Sequence, residues 1–149
     1  MKLTDDLLQK FNEQITLEFE ASMVYRQLAI AADDLDLSGM AAWLRHQADE
    51  EIVHANKFID HVADRDSFPT IGAIPAPPVQ AGLSALEIFR AALAHEQKVS
   101  EEIRTIARAA LDAQDLESRQ LVDWFLSEQV EEEATVSEIL DQIKLVGND

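Results

Sequence analysis

The chain has 149 residues, of which 47% are hydrophobic, a length that suits one domain with a proper core over residues 1–149. Its formal net charge of −17 argues strongly against binding to nucleic acid, which requires clustered Lys and Arg; such a charge would attract cations, although it also serves solubility alone. The absence of Cys excludes disulfides, thiolate catalysis and Cys-bound metals, and it favours a reducing compartment.

The N-terminal segment MKLTDDLLQKF contains no uninterrupted apolar run, so no signal peptide is expected. No stretch of the sequence approaches the roughly 20 apolar residues of a membrane span. These two observations, together with the missing Cys, predict a cytoplasmic protein without a membrane partner.

The first two predicted elements are long helices joined by a short turn. Apolar residues recur at helical spacing, and Thr4 followed by two Asp is typical of a helix N-terminus, which predicts a helix over residues 4–34. The segment DDLDLSG breaks the pattern. A second apolar stripe then predicts a helix over residues 38–65.

A proline-rich segment, SFPTIGAIPAPPVQAGL, follows the second predicted helix and holds all four prolines. About 17 residues in partly polyproline conformation reach roughly 50 Å, whereas a helix of about 28 residues is roughly 42 Å long. The segment can therefore run the full length of the second helix. This would start the third helix parallel to the second.

Two more helices complete the chain. Ser84 and Glu87 form a capping box that opens a helix running to about residue 110, and after the turn DAQD a fourth helix is predicted over residues 116–145, before Gly147. The sequence thus predicts an all-α four-helix bundle with one long crossover between helices 2 and 3.

Six polar side chains interrupt the apolar faces of the predicted helices. Each one alone is typical of a solvated helix face, but inside a bundle such groups are costly unless they are paired or bound to metal. They come from all four helices, and they are Glu18, Glu51, His54, Glu96, Gln129 and Glu132.

The same two sequence offsets occur in both predicted hairpins. Glu51 and His54 follow Glu18 by 33 and 36 residues. On the fourth helix, a Gln-x-x-Glu pair follows Glu96 by the same two numbers. Because each turn lies halfway between the members of its set, folding the hairpins brings all six side chains to one level of the bundle.

This ligand set of four carboxylates, one imidazole and one amide oxygen favours first-row transition metals over zinc. Four negative charges match two divalent ions. Two Fe²⁺ ions about 4 Å apart can each give one electron to O₂. The predicted activity is therefore ferroxidase activity, the oxidation of paired Fe²⁺ to Fe³⁺.

The segments NEQITLEFEASMVY, HQADEEIVHANKF, HEQ and WFLSEQVEEE resemble the helix motifs of prokaryotic non-haem ferritins, over nearly the whole chain. The resemblance implies a ferritin-like bundle in which Glu18, Glu51 and His54 hold a first iron. It also implies a second iron, bridged through Glu51 and held by Glu96 and Glu132.

The resemblance implies further roles. Gln129 would lie close to the second iron, and Tyr25 would be an electron donor or radical trap beside the centre; an ordinary core tyrosine is the alternative. Glu50, Glu128 and Glu131 fall on the positions of a third iron site, although plain surface acids would need no function.

Haem is not expected. Bacterioferritins carry a second Glu-x-x-His and bind haem through a Met after the Glu of the first, whereas here Ile52 follows Glu51 and the second pair is Gln129 and Glu132. Because Gln is a weaker ligand than Glu, the second iron is expected to be loosely held. Loose binding suits iron that passes through to storage.

The resemblance implies a homo-oligomeric cage of 24 subunits that takes up Fe²⁺, oxidises it with O₂ or H₂O₂ and deposits ferric mineral. Cage-forming relatives usually add a short fifth helix, and none is predicted after LVGND. A cage with open or differently built fourfold contacts is therefore the first expectation, and a dimer or smaller ring is the second.

Three other functions remain open at the sequence level. One is a small di-iron oxidase that detoxifies peroxide without storage, although rubrerythrins usually add a Cys-ligated segment. Another is a starved-cell miniferritin, whose metal site lies between subunits. The third is a helical interaction module with an acidic face. Finally, His46, His61 and His95 have no evident partners and are expected at the surface.

Overall fold

A computed structural model describes residues 1–147 and contains, within that range, four helices and no strand. The helices are α1 (Asp5–Asp34), α2 (Ser38–Asp64), α3 (Ala85–Asp112) and α4 (Leu116–Leu145). All four predicted helices are confirmed, with boundaries that differ by no more than two residues, and no fifth helix occurs among the described residues. The last two residues of the predicted domain, Asn148 and Asp149, lie outside the described range.

Polar caps begin three of the helices. The Thr4 hydroxyl accepts from the backbone N–H of Leu7 at the start of α1, and Asp115 caps α4 in the same way. The capping box predicted for α3 is present, because Ser84 accepts from the Glu87 backbone while the Glu87 carboxylate accepts from the Ser84 backbone. A cap of this kind is typically worth about 1 kcal/mol.

Both short turns are closed by one residue in the left-handed conformation. Asp36 has φ 59° between α1 and α2, and Gln114 has φ 52° between α3 and α4. Asp tolerates this conformation better than most residues, since its short polar side chain can bond locally. Each turn reverses the chain, so α1 with α2 and α3 with α4 form two antiparallel hairpins.

The proline-rich crossover lies along α1. Asn12 donates to the carbonyl oxygen of Phe68 and accepts from the backbone N–H of Thr70, and Thr16 accepts from Gly72 one turn further on. These hydrogen bonds satisfy backbone groups of a segment that has no secondary structure of its own. They direct the crossover toward the far end of the bundle.

The third helix is parallel to the second, as the length of the crossover predicts. Near the start of both helices, the rings of Trp43 and Phe89 lie 5.8 Å apart. Toward the opposite end, Phe58 of α2 stacks on Phe125, which lies near the start of α4, at 4.1 Å. The two hairpins therefore pack as one bundle.

The apolar core is divided into two clusters along the bundle axis. One surrounds Tyr25, Leu28, Leu44 and Phe89, and the other surrounds Phe11, Phe58, Ile103 and Phe125. The residues between these clusters in every helix include buried polar side chains, so a polar layer crosses the middle of the bundle. Burying such a layer is unfavourable unless its members have partners.

A second polar group ties the two hairpins together at one end. The Arg65 guanidinium donates two hydrogen bonds to Asp115, at 2.8 and 2.9 Å, and one to the carbonyl oxygen of Met1 at 2.6 Å. It also donates to Ser118, whose hydroxyl lies 2.9 Å from Nε2 of His61. This cluster joins α2, the α3–α4 turn and the N-terminus.

Within residues 1–147, no helix is both long enough and apolar enough to cross a membrane.

Candidate metal centre

The polar layer brings together the six side chains that the sequence offsets place at one level. Five are buried, with exposed fractions of 4% or less, and Glu132 is partly buried. α1 and α3 each contribute one of these side chains, and α2 and α4 each contribute two that lie three residues apart, so the geometry follows from the register of the two hairpins. Two overlapping groups of side chains, within the described part of the chain, could each hold a metal ion.

The first group consists of Glu18, Glu51 and His54. Nδ1 of His54 lies 3.2 Å from Oε2 of Glu51 and 3.8 Å from Oε2 of Glu18, so one ring nitrogen faces both carboxylates. The imidazole is held edge-on against Phe125, at 5.5 Å between ring centroids. Oε2 of Glu18 is buried without a hydrogen-bond partner. An orphaned carboxylate oxygen beside an imidazole nitrogen fits a metal ligand.

The second group consists of Glu51, Glu96 and Glu132, whose ligand atoms lie within 4.8 Å of one another. Glu51 therefore belongs to both groups. The Tyr25 hydroxyl, which is fully buried, donates to Oε1 of Glu96 at 3.0 Å. Gln129 lies beside Glu96 and donates from Nε2 to its Oε2 at 3.2 Å. All of the predicted ligands for two ions are thus adjacent.

Three of the carboxyl groups hold protons more tightly than usual. Burial, followed by the charges of Glu51 and Glu132, raises the pKa of Glu96 to about 9. Burial, followed by Glu51, raises the pKa of Glu132 to about 7. The pKa of Glu18 also lies well above its ordinary value, chiefly because of burial and then because of Glu51. In the metal-free centre, protons therefore partly replace cations.

Glu51 is the exception among the buried carboxyls. Burial pushes its pKa up, but the hydrogen bond and the charge of His54 contribute to outweighing burial, so the pKa lies below its ordinary value. The pKa of His54 is raised: burial lowers it, and the hydrogen bond and charge of Glu51 outweigh that effect. The carboxylate that both groups share is thus also the one that stays ionised most readily.

Sequence reasoning missed the polar residues that hold the ligands in place. Gln14 donates to Glu18 at 3.0 Å, and Gln47 donates to Glu132 at 2.5 Å and to Glu51 at 3.4 Å. Both are buried. A signal was available, because each lies four residues before a predicted ligand on the same helix face.

The three acids of the predicted third site lie outside both groups. Glu50 and Glu128 are partly exposed and Glu131 is exposed, and in the described range none of them joins two other ligands within 4.8 Å. His46 lies 3.5 Å from Glu50. The third site stays a prediction.

The histidines that were expected at the surface differ from one another. The side chain of His46 is exposed. His61 is half-buried and contacts Ser118, and His95 is half-buried with its Nε2 atom fully buried, so neither is exposed as expected. Burial lowers the pKa of both imidazoles. The contact of His61 with the ring of Phe11, at 5.1 Å between ring centroids, is not visible in a local sequence pattern.

Four long helices, a crossover between the second and third, and carboxylates of all four helices converging with one imidazole define the class of ferritin-like carboxylate bundles. A family model for the ferritin-like domain matches residues 8–146. The chain belongs to the ferritin family.

Its relatives by sequence are bacterial non-heme ferritins. One from Escherichia coli O6:H1 is 32% identical over 145 residues, which cover 97% of this chain and 87% of that protein. One from Staphylococcus saprophyticus is 36% identical over 147 residues, covering 99% and 87%. These matches support the assignment to the non-haem ferritins.

Solved structures give the same result for the fold. An open pore ferritin from the hyperthermophilic archaeon Archaeoglobus fulgidus superposes with a TM-score of 0.95 at 30% identity, over 99% of this chain and 91% of that chain. A Chlorobium tepidum ferritin superposes with a TM-score of 0.90 at 30% identity, over 97% and 88%. The match extends over nearly the whole bundle.

Proposed function

We propose that this protein oxidises Fe²⁺ to Fe³⁺ at the buried centre, as the first step of the iron storage that belongs to a ferritin. The observation that carries the proposal is the pair of overlapping ligand groups that share Glu51. A single group would suit one structural ion. Two groups with a common carboxylate support a centre in which two ions would lie close enough to be oxidised together.

The residues divide between the two ions according to the observed groups. Glu18 and His54 serve the first ion, Glu96 and Glu132 serve the second, and Glu51 bridges both. Gln129 adds a neutral oxygen donor beside the second ion, so that ion is the more loosely held of the two. One Gln and one His in an otherwise carboxylate site keep the charge of the ligands at −4, which two Fe²⁺ ions neutralise.

Loading the centre exchanges protons for metal. Glu96 and Glu132 have pKa values of about 9 and about 7, and the pKa of Glu18 is also raised, so the metal-free centre carries protons near neutral pH. Two Fe²⁺ ions displace those protons to solvent, because a protonated carboxyl is a poor ligand. Affinity for Fe²⁺ therefore rises with pH.

The electron balance requires two ions for each two-electron oxidant. Each Fe²⁺ loses one electron; O₂ accepts both electrons and two protons and leaves as H₂O₂. When H₂O₂ is the oxidant, its O–O bond breaks and two electrons with two protons yield two water molecules. The bridging position of Glu51 keeps the ions adjacent for this paired transfer.

We propose that Tyr25 acts as an electron donor or radical trap beside the centre. Its hydroxyl donates to Glu96, a ligand of the second ion, and the ring is completely buried. Burial, followed by the nearby carboxylates, raises its pKa, so the phenol stays protonated while it remains in contact with the centre. A buried phenol in contact with a candidate metal ligand supports this role.

Storage additionally requires an assembly that surrounds the mineral and a path by which ferric iron reaches its interior. We propose that Glu50, Glu128 and Glu131 form a third, weaker iron site and that the chains assemble into a cage of 24 subunits. The archaeal relative is described as an open pore ferritin, and we propose a cage with open contacts here too.

One experiment tests oxidation and storage separately. Fe²⁺ is added in air to the metal-free protein, ferric absorbance and O₂ consumption are followed, and the particle is then sized and its iron measured. Rapid oxidation with iron far above two ions per chain in a large particle is expected. Oxidation that stops at two ions per chain would leave only a small di-iron oxidase, and oxidation no faster than in buffer would refute the proposal.

A further inference from the structure

A second pair of polar residues lies one helical turn along from the pair that faces the second metal ion. Ser100 follows Glu96 by four residues on α3, and Glu133 follows Gln129 by four residues on α4. The α3–α4 register therefore places Ser100 opposite Glu133, in the same way that it places Glu96 opposite Gln129. No sequence motif drew attention to this second pair.

Hydrogen bonds connect the two pairs. Nε2 of Gln129 donates to Oγ of Ser100 at 3.0 Å and to the backbone carbonyl oxygen of Glu96 at 3.2 Å, in addition to its contact with the Glu96 carboxylate. The Ser100 hydroxyl in turn donates to Oε2 of Glu133 at 2.5 Å. All three contacts of Gln129 use the nitrogen end of its amide.

The nitrogen end of an amide can only donate, and only the oxygen end can bind a cation. Once metal has displaced its proton, Glu96 presents two oxygens that only accept, a backbone carbonyl and a carboxylate, to the amide of Gln129. Ser100 differs, because its hydroxyl can either donate or accept. The single hydrogen of the Ser100 hydroxyl is donated to Glu133, so Ser100 can only accept a hydrogen bond from Gln129. If the Gln129 amide were turned around, its oxygen would find no donor at Ser100.

We propose that Ser100 and Glu133 are positioning residues that fix the orientation of the Gln129 amide, so that its oxygen is available to the second iron. The inference rests on the proposed function, because it assumes a second ion at Glu51, Glu96 and Glu132. Glu133 acts through Ser100 and is itself no ligand. Its carboxylate accepts a hydrogen bond from the Ser100 hydroxyl and thereby determines which end of the Gln129 amide faces Ser100.

The surroundings of these residues make the inference testable. Ser100, Gln129 and Glu133 line a solvent-open groove of about 150 Å³ between α3 and α4. Water can therefore replace a lost hydrogen-bond partner, so variants at Ser100 and Glu133 are expected to fold. The same water would compete with a misoriented amide for the second metal ion.

The test measures the binding of Zn²⁺, used alone as a redox-inert probe, to the metal-free protein by titration calorimetry. Two tight ions per wild-type chain are expected. Glu133→Ala and Ser100→Ala are each expected to weaken the second ion about 10-fold, in the range for outer partners of metal ligands, and to leave the first unchanged. In a Ser100→Ala background, Glu133→Ala is expected to cause no further loss of affinity for the second ion.

Two controls separate orientation from charge. Glu133→Gln removes the same charge as Glu133→Ala but keeps an oxygen that accepts from Ser100, so second-site affinity is expected to be restored. Glu138→Ala removes an exposed acid from the same helix and is expected to have no effect on either ion.

Several results would overturn the inference while leaving the proposed function intact. One is a Glu133→Ala variant that binds the second Zn²⁺ ion as tightly as wild type does. Another is an equal loss of second-site affinity in Glu133→Gln and Glu133→Ala. The third is a variant in which the affinities for both ions fall by the same factor. A wild-type chain that takes up fewer than two Zn²⁺ ions would instead refute the two-ion centre, and the inference with it.

Discussion

At the scale of single residues, Glu51 is the most informative position, because it belongs to both ligand groups. It is 1% exposed and contacts His54 directly. A residue that serves two ions cannot be replaced without affecting both. This distinguishes Glu51 from Glu18 or Glu132, each of which belongs to one group.

Glu51→Gln is therefore expected to abolish paired oxidation. The rate of Fe²⁺ oxidation at two ions per chain should fall by more than the roughly 10- to 100-fold that the loss of an outer partner costs. Stopped-flow absorbance measures this rate. Asp49→Asn is the matched control, because Asp49 is exposed on the same helix and pairs with Arg26. Equal rates in both variants would contradict the shared role of Glu51.

The buried carboxyls predict how the stability of the metal-free protein depends on pH. The pKa of Glu96 rises from its ordinary value near 4.5 to about 9 in the folded protein, so the folded state binds more protons than the unfolded state between these values. By linkage, the stabilising contribution is complete below about 4.5 and is lost as pH rises through about 9.

The melting temperature of the metal-free protein is thus expected to fall as pH is raised across this window. Glu96→Gln should melt with a shallower pH dependence, because a neutral amide cannot lose a proton. Differential scanning calorimetry over the pH series measures both slopes. A wild-type slope that matches that of Glu96→Gln would rule out Glu96 as the titrating group.

At the scale of helices, the two hairpins are tied at one end by Arg65 and Asp115. Their side chains are 11% and 7% exposed, and Asp115 also caps α4. Burial raises the pKa of Asp115, but the hydrogen bonds and charge of Arg65 outweigh burial and hold it below its ordinary value. The pair is therefore formed at neutral pH, and removing one partner leaves the other uncompensated.

Arg65→Met is expected to lower the free energy of unfolding of the metal-free protein by about 3 kcal/mol, the usual cost of leaving a buried charge unpaired. Arg65→Met combined with Asp115→Asn should recover part of this loss, because Asn still caps the helix without a charge. Urea unfolding at one fixed protein concentration measures these values. If the free energy of unfolding of Arg65→Met lay within about 0.5 kcal/mol of the wild-type value, the stabilising role of the pair would be contradicted.

At the scale of the whole molecule, the net charge of −17 acts together with the buried centre. An acidic surface raises the local concentration of cations and accelerates their capture, and salt screens this attraction within about 8 Å at physiological ionic strength. The surface charge is thus expected to increase the rate at which Fe²⁺ is captured, whereas the ligands of the centre determine the affinity for Fe²⁺.

The initial rate of oxidation at low Fe²⁺ is therefore expected to fall several-fold between low salt and about 0.15 M salt. At saturating Fe²⁺ the rate should be independent of salt, because capture no longer limits it. Stopped-flow measurements at both iron concentrations provide the comparison. A salt effect of the same size at saturating Fe²⁺ would locate the effect in the centre rather than in capture.

Much of the fold could be predicted because helical periodicity, caps and turn lengths are local properties of the sequence. The equal offsets of 33 and 36 residues in both hairpins also predict the ligand layer, since an antiparallel hairpin converts sequence distance into spatial level. The meeting of Glu18, Glu51 and Glu96 in one buried layer was accessible in this way. The half-buried placement of His61 was not, because it depends on Phe11 and Ser118, which lie on other helices.

The sequence by itself determined four helices, their order and the level at which six polar side chains meet, because each of these follows from spacing along one chain. Only the tertiary structure decided which atoms face one another: the contact of Tyr25 with Glu96, and the link from Gln129 through Ser100 to Glu133. Proton positions and amide orientations depend on neighbours across helix interfaces. Sequence spacing carries no information about those neighbours.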